Sequence, residues 1–186
     1  GVDNLNDYYQ VDLKDTRLSK LNTRDGFRFA QADISDAAAF NAAIGADRDA
    51  DVIVHLAAQA GVRYSIENPA AYVSANVMGQ VSVFETALTL EKRPPVVYAS
   101  SSSVYGANEK IPFSESDAVD HPVSVYAATK RSGELLAVSY KHVHSLPSTG
   151  LRFFTVYGPF GRPDMAPWLF TSAILKGEPI RVFNKD

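Results

Sequence analysis

Short β-branched runs that alternate with longer helical stretches predict an α/β chain folded around a doubly wound parallel sheet. Two further observations agree. Polar residues follow directly on the apolar runs, and glycine and proline gather in 104–122 and 157–167, which read as ligand-side loops rather than linkers. Gly1 and Val2 form the tail of a strand, and 27–32, 51–56, 95–100, 148–154 and 180–183 are predicted as further strands. Between them, apolar spacing predicts helices over 13–21, 36–44, 70–90, 125–144 and 166–176. Asp36 and Asn68 stand where N-terminal caps are needed, and Pro69 suits a first helical turn. The sequence contains no internal repeat and no low-complexity tract.

Composition narrows the function classes. A chain of 186 residues, 46% hydrophobic and 21% charged, is globular and long enough to bury a core. Its apolar runs fall far short of a bilayer span, and no signal-peptide pattern opens it, so no membrane partner is expected. Eighteen basic against 21 acidic residues give a net charge of −3, which argues against a nucleic-acid surface. Without cysteine there is no disulfide or thiolate chemistry, and the cytoplasm is the expected compartment. His121, His142 and His144 lack metal-ligand spacing, so no metal is expected.

Ligands of an open parallel sheet bind outside the carboxyl ends of its strands, so each end has two readings. Asp3, followed by Asn4, is either a turn residue or a carboxylate that binds a ribose 2'-hydroxyl and repels a 2'-phosphate, favouring NAD over NADP. Asp33 and Ile34 either flank an adenine or belong to a cap. Leu56, Ala57, Ala58 and Gln59 either line a cofactor or let a helix pack close, since small residues permit close backbone approach. His55, in an apolar run, reads as a core histidine. Asn76, in an apolar helix, needs a hydrogen-bond partner, from the backbone or from a cofactor. The serines Ser100 to Ser103 read as functional ahead of turn formers. Arg162, between glycine and proline, either grips a carboxylate or phosphate or pairs with Asp164.

Tyr126 and Lys130 bring the chemistry. Spaced i, i+4 on a predicted helix, they share one face, and a positive charge held beside a phenol favours the phenolate. Such a pair removes a proton from an alcohol while hydride leaves the same carbon, and the Ser101 hydroxyl can share that proton. Alone the pair is a weak signal, because an exposed helix with a half-buried tyrosine carries the same residues.

Taken together, Val2-Asp3-Asn4, Ala32-Asp33-Ile34, His55-Leu56-Ala57-Ala58-Gln59, Asn76, 100–106, Tyr126 with Lys130, and 152–159 resemble the extended short-chain dehydrogenase/reductases, in particular their sugar-nucleotide epimerases. The tail 152–167 looks most like the UDP-glucuronate 4-epimerases. The resemblance implies a Rossmann-like sheet with NAD as cofactor, a nucleotide-sugar substrate and a homodimer. It makes Tyr126 the base, Lys130 its electrostatic partner and ribose ligand, and Ser101 the catalytic hydroxyl. Asp3, Asn4, Asp33, Ile34, Leu56, Ala57, Ala58, Gln59, Asn76 and Ser100 would contact the cofactor. Ser102, Ser103, Thr155 and Arg162 would contact the sugar, the last two its carboxylate. The implied reaction is epimerisation at carbon 4 through a 4-keto intermediate.

The family's first strand and glycine-rich loop would precede Asp3 by about 20 residues. The expectation is therefore a partial NAD-binding domain over 1–156 and the start of a substrate region over 157–186, inactive as a fragment. Rival readings are a decarboxylase or 4,6-dehydratase of the same family, or a non-catalytic NAD-binding protein. Dehydratases of this family place Thr-Asp-Glu before Val-Tyr-Gly, whereas Ser101-Ser102-Ser103 stands here and offers no carboxylate.

Overall fold

The computed structural model describes residues 1–45 and 48–180, which divide into two units. The first comprises Gly1–Asn4 and Arg28–Phe154; the second comprises Leu5–Phe27 and the chain from Thr155 on.

In the first unit every strand pairing is parallel. Strand β1 (Val2–Asp3) pairs with β2 (Ala30–Gln31), and β3 (Ile53–His55), β4 (Val96–Ser101) and β5 (Ser148–Phe153) form a second sheet in that order. The alternation of strands and helices expected from the sequence is present. Strands expected over 27–32 and 51–56 are shorter, because the ladder extends only where partners align. The strand expected over 180–183 falls largely outside the described residues.

Helix α2 (Ala37–Ile44) starts at Asp36, whose side chain accepts from the Ala39 amide at 3.0 Å. A short α3 (Tyr64–Glu67) was not foreseen. The single helix expected over 70–90 is instead α4 (Pro69–Tyr72), a π-helical stretch (Val73–Met78) and α5 (Gly79–Thr89) in unbroken succession. Asn68 caps this run as expected, accepting from the Ala71 amide at 3.4 Å. Helix α6 (Val125–His144) has the expected bounds. Ser124 caps it by accepting from the Ala127 amide at 3.0 Å, Lys141 opposes the negative end of its dipole, and Ser145 closes it in the left-handed region.

The core joins these elements. Ile34 and Phe40 meet Val83, Phe84 and Ala87 of α5, Val96 and Tyr98 of β4, Ala137 of α6 and Leu146. Two glycines let surfaces close up. A Cβ at Gly150 would stand 2.5 Å from the Tyr98 ring carbon Cζ, and one at Gly133 would collide with the Gln80 side chain, which donates to the Gly133 carbonyl at 2.9 Å.

The stretch 104–122 is folded, not slack. Ser102–Tyr105 makes a 3-10 turn, and Tyr105 stacks on Phe113 with centroids 4.6 Å apart. Asp117 collects Lys110 at 2.6 Å, Asn108 at 3.1 Å and the Ser114 amide at 2.8 Å. Gly106 leaves the turn at φ +59°, with the His121 carbonyl where a Cβ would go.

In the second unit, α1 (Val11–Asn22) and α7 (Ala166–Lys176) flank the loop before α7. Arg17 donates to the Phe160 carbonyl at 3.1 Å and to the Tyr9 hydroxyl at 2.6 Å. Lys14 is buried and donates to the Asn6 carbonyl at 2.6 Å.

Gly106→Ala combines a disfavoured backbone with a backbone collision, and is expected to cost about 1–3 kcal/mol. Urea unfolding should show a lowered midpoint with an unchanged slope; an unmoved midpoint would contradict the close approach.

Candidate active site

Helix α6 presents a stripe to β4 and β5. Tyr126, Lys130 and Glu134 follow at i, i+4 and i+8, drifting about 40° per step around the axis. Lys130 is 8% exposed, and its ammonium donates to the Ala99 carbonyl of β4 at 2.7 Å. Burial lowers its pKa to about 8. His55, at the end of β3, is also buried, and burial followed by the nearby Lys130 charge lowers it to about 4. It is thus a neutral core histidine, as its apolar run implied.

Tyr126 is half-buried, and its hydroxyl makes no hydrogen bond to the described residues. Its ring stands edge-on to Tyr72, with centroids 6.1 Å apart and planes at 78°. Tyr72 has no exposed surface, and its hydroxyl donates to the Ala60 carbonyl at 2.9 Å and to the Gly61 carbonyl at 2.5 Å. One turn on, Asn76 accepts from the Gln59 amide at 2.8 Å and donates to the Gln59 carbonyl and to Thr129 Oγ1, each at 3.0 Å. Thr129 in turn donates to the Tyr126 carbonyl at 2.9 Å. Tyr72, Asn76 and Gln80 therefore form a polar ladder against α6. The backbone partner foreseen for Asn76 is Gln59, and the π-helical turn is where that side chain sits.

The serines separate by role. Ser100 turns its hydroxyl to Glu134 Oε1 at 2.7 Å, and the side chain is buried. Ser101 is buried at the end of β4, where its Oγ accepts from the Ser103 amide at 3.2 Å. Ser102 and Ser103 are half-buried in the 3-10 turn that follows.

At the other strand ends, Asp3 is exposed. Asn4 donates to Asp33 Oδ2 at 3.0 Å. Asp33 Oδ1 also takes the Ser35 amide at 2.8 Å and its hydroxyl at 2.7 Å. Burial pushes the Asp33 carboxyl up, but the bonds from Ser35 and Asn4 outweigh it and leave it below the usual value. Ile34 is buried, with a Cβ at Gly79 falling 2.6 Å from its Cδ1. Leu56 is 60% exposed, Ala57 and Ala58 are half-buried, and Gln59 is buried.

Thr155 and Arg162 belong to the second unit. Thr155 is exposed. Arg162 grips Asp164 with both arms of its fork, at 2.9 and 2.8 Å, and the Tyr8 hydroxyl reaches the same carboxylate at 3.2 Å. The pairing with Asp164 anticipated for this arginine is therefore made. Beside it lies a cleft of about 420 Å³ lined by Tyr157, Arg162, Met165, Trp168, Thr171 and Leu175. Among the described residues no three His, Asp or Glu side chains gather as a metal site, and no helix is long and apolar enough to cross a membrane.

Four contributors went unread in the sequence: Tyr72, Gln80, Thr129 and Glu134. Glu134 carried a signal, since an acid one turn beyond Lys130 on the same buried face must find partners.

The first unit thus has parallel strands with α6 packed on β4 and β5 and Ser101 at the carboxyl end of β4. Residues 2–186 match the NAD dependent epimerase/dehydratase family. The chain belongs to that family. It is 51% identical over 184 residues to UDP-glucuronate 4-epimerase 3 of Arabidopsis thaliana, covering 99% of this chain and 42% of that protein. The crystal structure of UDP-glucuronic acid 4-epimerase from Bacillus cereus, in complex with UDP-glucuronic acid and NAD, superposes with a TM-score of 0.86 at 31% identity, covering 100% of this chain and 57% of that one. A dTDP-glucose 4,6-dehydratase from Streptomyces venezuelae also superposes, with a TM-score of 0.83 at 28% identity over 95% of this chain and 52% of that one. The chain spans about half the length of the curated relatives it matches.

Because His55 is held below its ordinary value, the unfolded chain takes up the proton first as pH falls. Its contribution to stability is complete above about pH 6.5 and is lost toward pH 4. An NMR titration should keep the His55 ring neutral to about pH 5; a midpoint near 6.5 would contradict its burial.

Proposed function

We propose that this chain is the NAD-binding part, over 1–156, with the start of the substrate region, over 157–186, of an epimerase acting at carbon 4 of a nucleotide sugar. The substrate assigned is UDP-glucuronate and the product UDP-galacturonate. The observation that carries this reading is the conjunction at one sheet edge of an uncommitted Tyr126 hydroxyl, the buried Lys130 ammonium and Ser101, with serines where a dehydratase of the family has its acids. The donor set suits a dinucleotide: an exposed carboxylate at Asp3 for ribose hydroxyls, small residues at Ala57 and Ala58 for close approach, and a cation at Lys130. Asp33, Ile34 and Asn76 already have protein partners, so their part is to shape the adenine side and the cofactor wall.

Tyr126 takes the proton from the sugar 4-hydroxyl and gives it back when the ketone is reduced. Lys130 stabilises the phenolate that accepts the proton and holds the ribose, and Ser101 shares the moving proton. NAD, held there, would supply a hydride acceptor for carbon 4 and a hydride donor for the opposite face of the resulting ketone. Ser102 and Ser103 are assigned to the sugar; the assignment of Thr155 and Arg162 to its carboxylate rests on the resemblance, and Arg162 shows the bidentate grip this needs on Asp164. We also assign a homodimer, supported by exposed apolar residues on the long helices, Val73 and Met78 on one and Leu135 and Val138 on the other, and a cytoplasmic location.

A dehydratase shares the scaffold, so fold alone does not choose between the activities. Incubating the full-length protein with UDP-glucuronate and NAD and resolving the products does choose. Galacturonate is expected; a pentose with carbon dioxide would make it a decarboxylase, and no turnover with NAD bound would make it a binding protein. Tyr126→Phe is expected to lower kcat by roughly 100-fold or more. Full activity in that variant would remove the proposed base.

A further inference from the structure

Glu134 accepts four hydrogen bonds in the first unit's interior, and nothing in the proposed chemistry employs it. It is 8% exposed. Oε1 accepts from Ser100 Oγ at 2.7 Å and from Arg152 Nε at 2.8 Å; Oε2 accepts from Arg152 Nη2 and Arg131 Nη1, each at 3.0 Å. Arg131 also reaches Asp120 at 3.4 Å. Arg152 extends the network away from the helix. Its guanidinium lies 4.9 Å from the Tyr105 ring centroid, and Nη1 donates to the Glu115 carbonyl at 3.4 Å. Ser100 and Arg152 are direct register partners on β4 and β5.

One carboxylate thus ties together the helix that carries Tyr126 and Lys130, the strand that carries Ser101, and the loop that follows the serines. We propose that Glu134 is a positioning residue for the Tyr126/Lys130 pair, fixing the rotation of α6 about its own axis. The proposal rests on the function assigned above. Its physical basis is leverage. Apolar contacts tolerate small rolls of a helix, whereas three hydrogen bonds to one planar group from Ser100 on β4 and Arg152 on β5 do not; the fourth bond, from Arg131, lies within α6 itself. At a helix radius of about 5–6 Å with side chains, a roll of about 10° moves a side-chain tip by roughly 1 Å. A misplacement of about 1 Å at a reacting group can cost on the order of 100-fold in rate. Lys130 alone is a poor stop, because a single bond from a flexible ammonium to the Ala99 carbonyl allows the helix to turn around it.

The test uses the full-length protein with Glu134→Gln, which keeps the shape but weakens the grip on Arg152, and Ser100→Ala, which removes one bond and leaves the ion pair. Tyr140→Phe is the control, since it removes the 2.6 Å bond to Glu85 elsewhere on α6. Unfolding midpoint, NAD affinity, kcat and KM for UDP-glucuronate are measured for each. Glu134→Gln is expected to lower kcat about 100-fold, and Ser100→Ala about 3- to 10-fold, with KM and NAD affinity within about 3-fold of wild type. Tyr140→Phe is expected to lower the midpoint and leave kcat unchanged. Should Glu134→Gln fail to fold, Ser100→Ala decides by the same readouts. Loss of stability with unchanged kcat in the folded variants would reduce the network to a structural one and overturn the proposal.

A second readout is independent of turnover: the Tyr126 ring resonance in ¹³C-tyrosine-labelled protein, assigned through Tyr126→Phe. It is expected to move in Glu134→Gln and Ser100→Ala but not in Tyr140→Phe. A fixed resonance overturns the positioning role. An inactive wild type whose Tyr126 resonance still moves overturns only the assigned reaction.

Discussion

The seating of α6 on β4 and β5 governs the rest of the molecule. A helix face that carries a lysine and a glutamate into the interior is costly unless each finds partners in place. Lys130 finds the Ala99 carbonyl, and Glu134 finds Ser100 and Arg152. Both sets of partners lie on adjacent strands in a fixed register, so satisfying them sets the height and the rotation of the helix together. Tyr126, one turn before Lys130, is left with a hydroxyl that makes no hydrogen bond among the described residues.

A second surface meets α6 from the side. Tyr72, Asn76 and Gln80 contact Tyr126, Thr129 and Gly133 in step, and the first two also hold the backbone at Gln59, Ala60 and Gly61. The small-residue wall after β3 and the helix bearing Tyr126 are therefore linked through hydrogen-bonded side chains. The arrangement has a stability cost. Lys130 is held near 8, below its ordinary value, so the unfolded chain binds that proton more tightly. The cost is full below about pH 8 and fades as pH rises toward 10.5. Strain of this kind is what functional sites retain and packing elsewhere offsets.

Where local chemistry decides, the sequence was legible. The bounds of α6 follow from its helical apolar spacing, the start of α2 from Asp36, and the loop of 104–122 from its glycine and prolines. His55 was read correctly because an apolar run predicts burial, and burial predicts neutrality. Where tertiary partners decide, it was not. The π-helical stretch has no signature of its own and arises around Asn76 once Gln59 and Thr129 are opposite it. Strands β2 and β3 are short for a similar reason, since pairing depends on a neighbouring ladder. Ser100 was assigned to the cofactor and Ser101 to catalysis, and strand alternation sends Ser100 to Glu134 and leaves Ser101 beside the turn. Arg162 kept two readings, and its carboxylate partner in this structure is Asp164.

The central claim is that Tyr126, held by this seating, removes a proton from the alcohol whose carbon gives up and regains the same hydride. Full-length protein given UDP-glucuronate deuterated at carbon 4, in ordinary water, tests it most directly. The account predicts an inverted product that keeps its deuterium at carbon 4. Inverted product whose label has exchanged with solvent would contradict it.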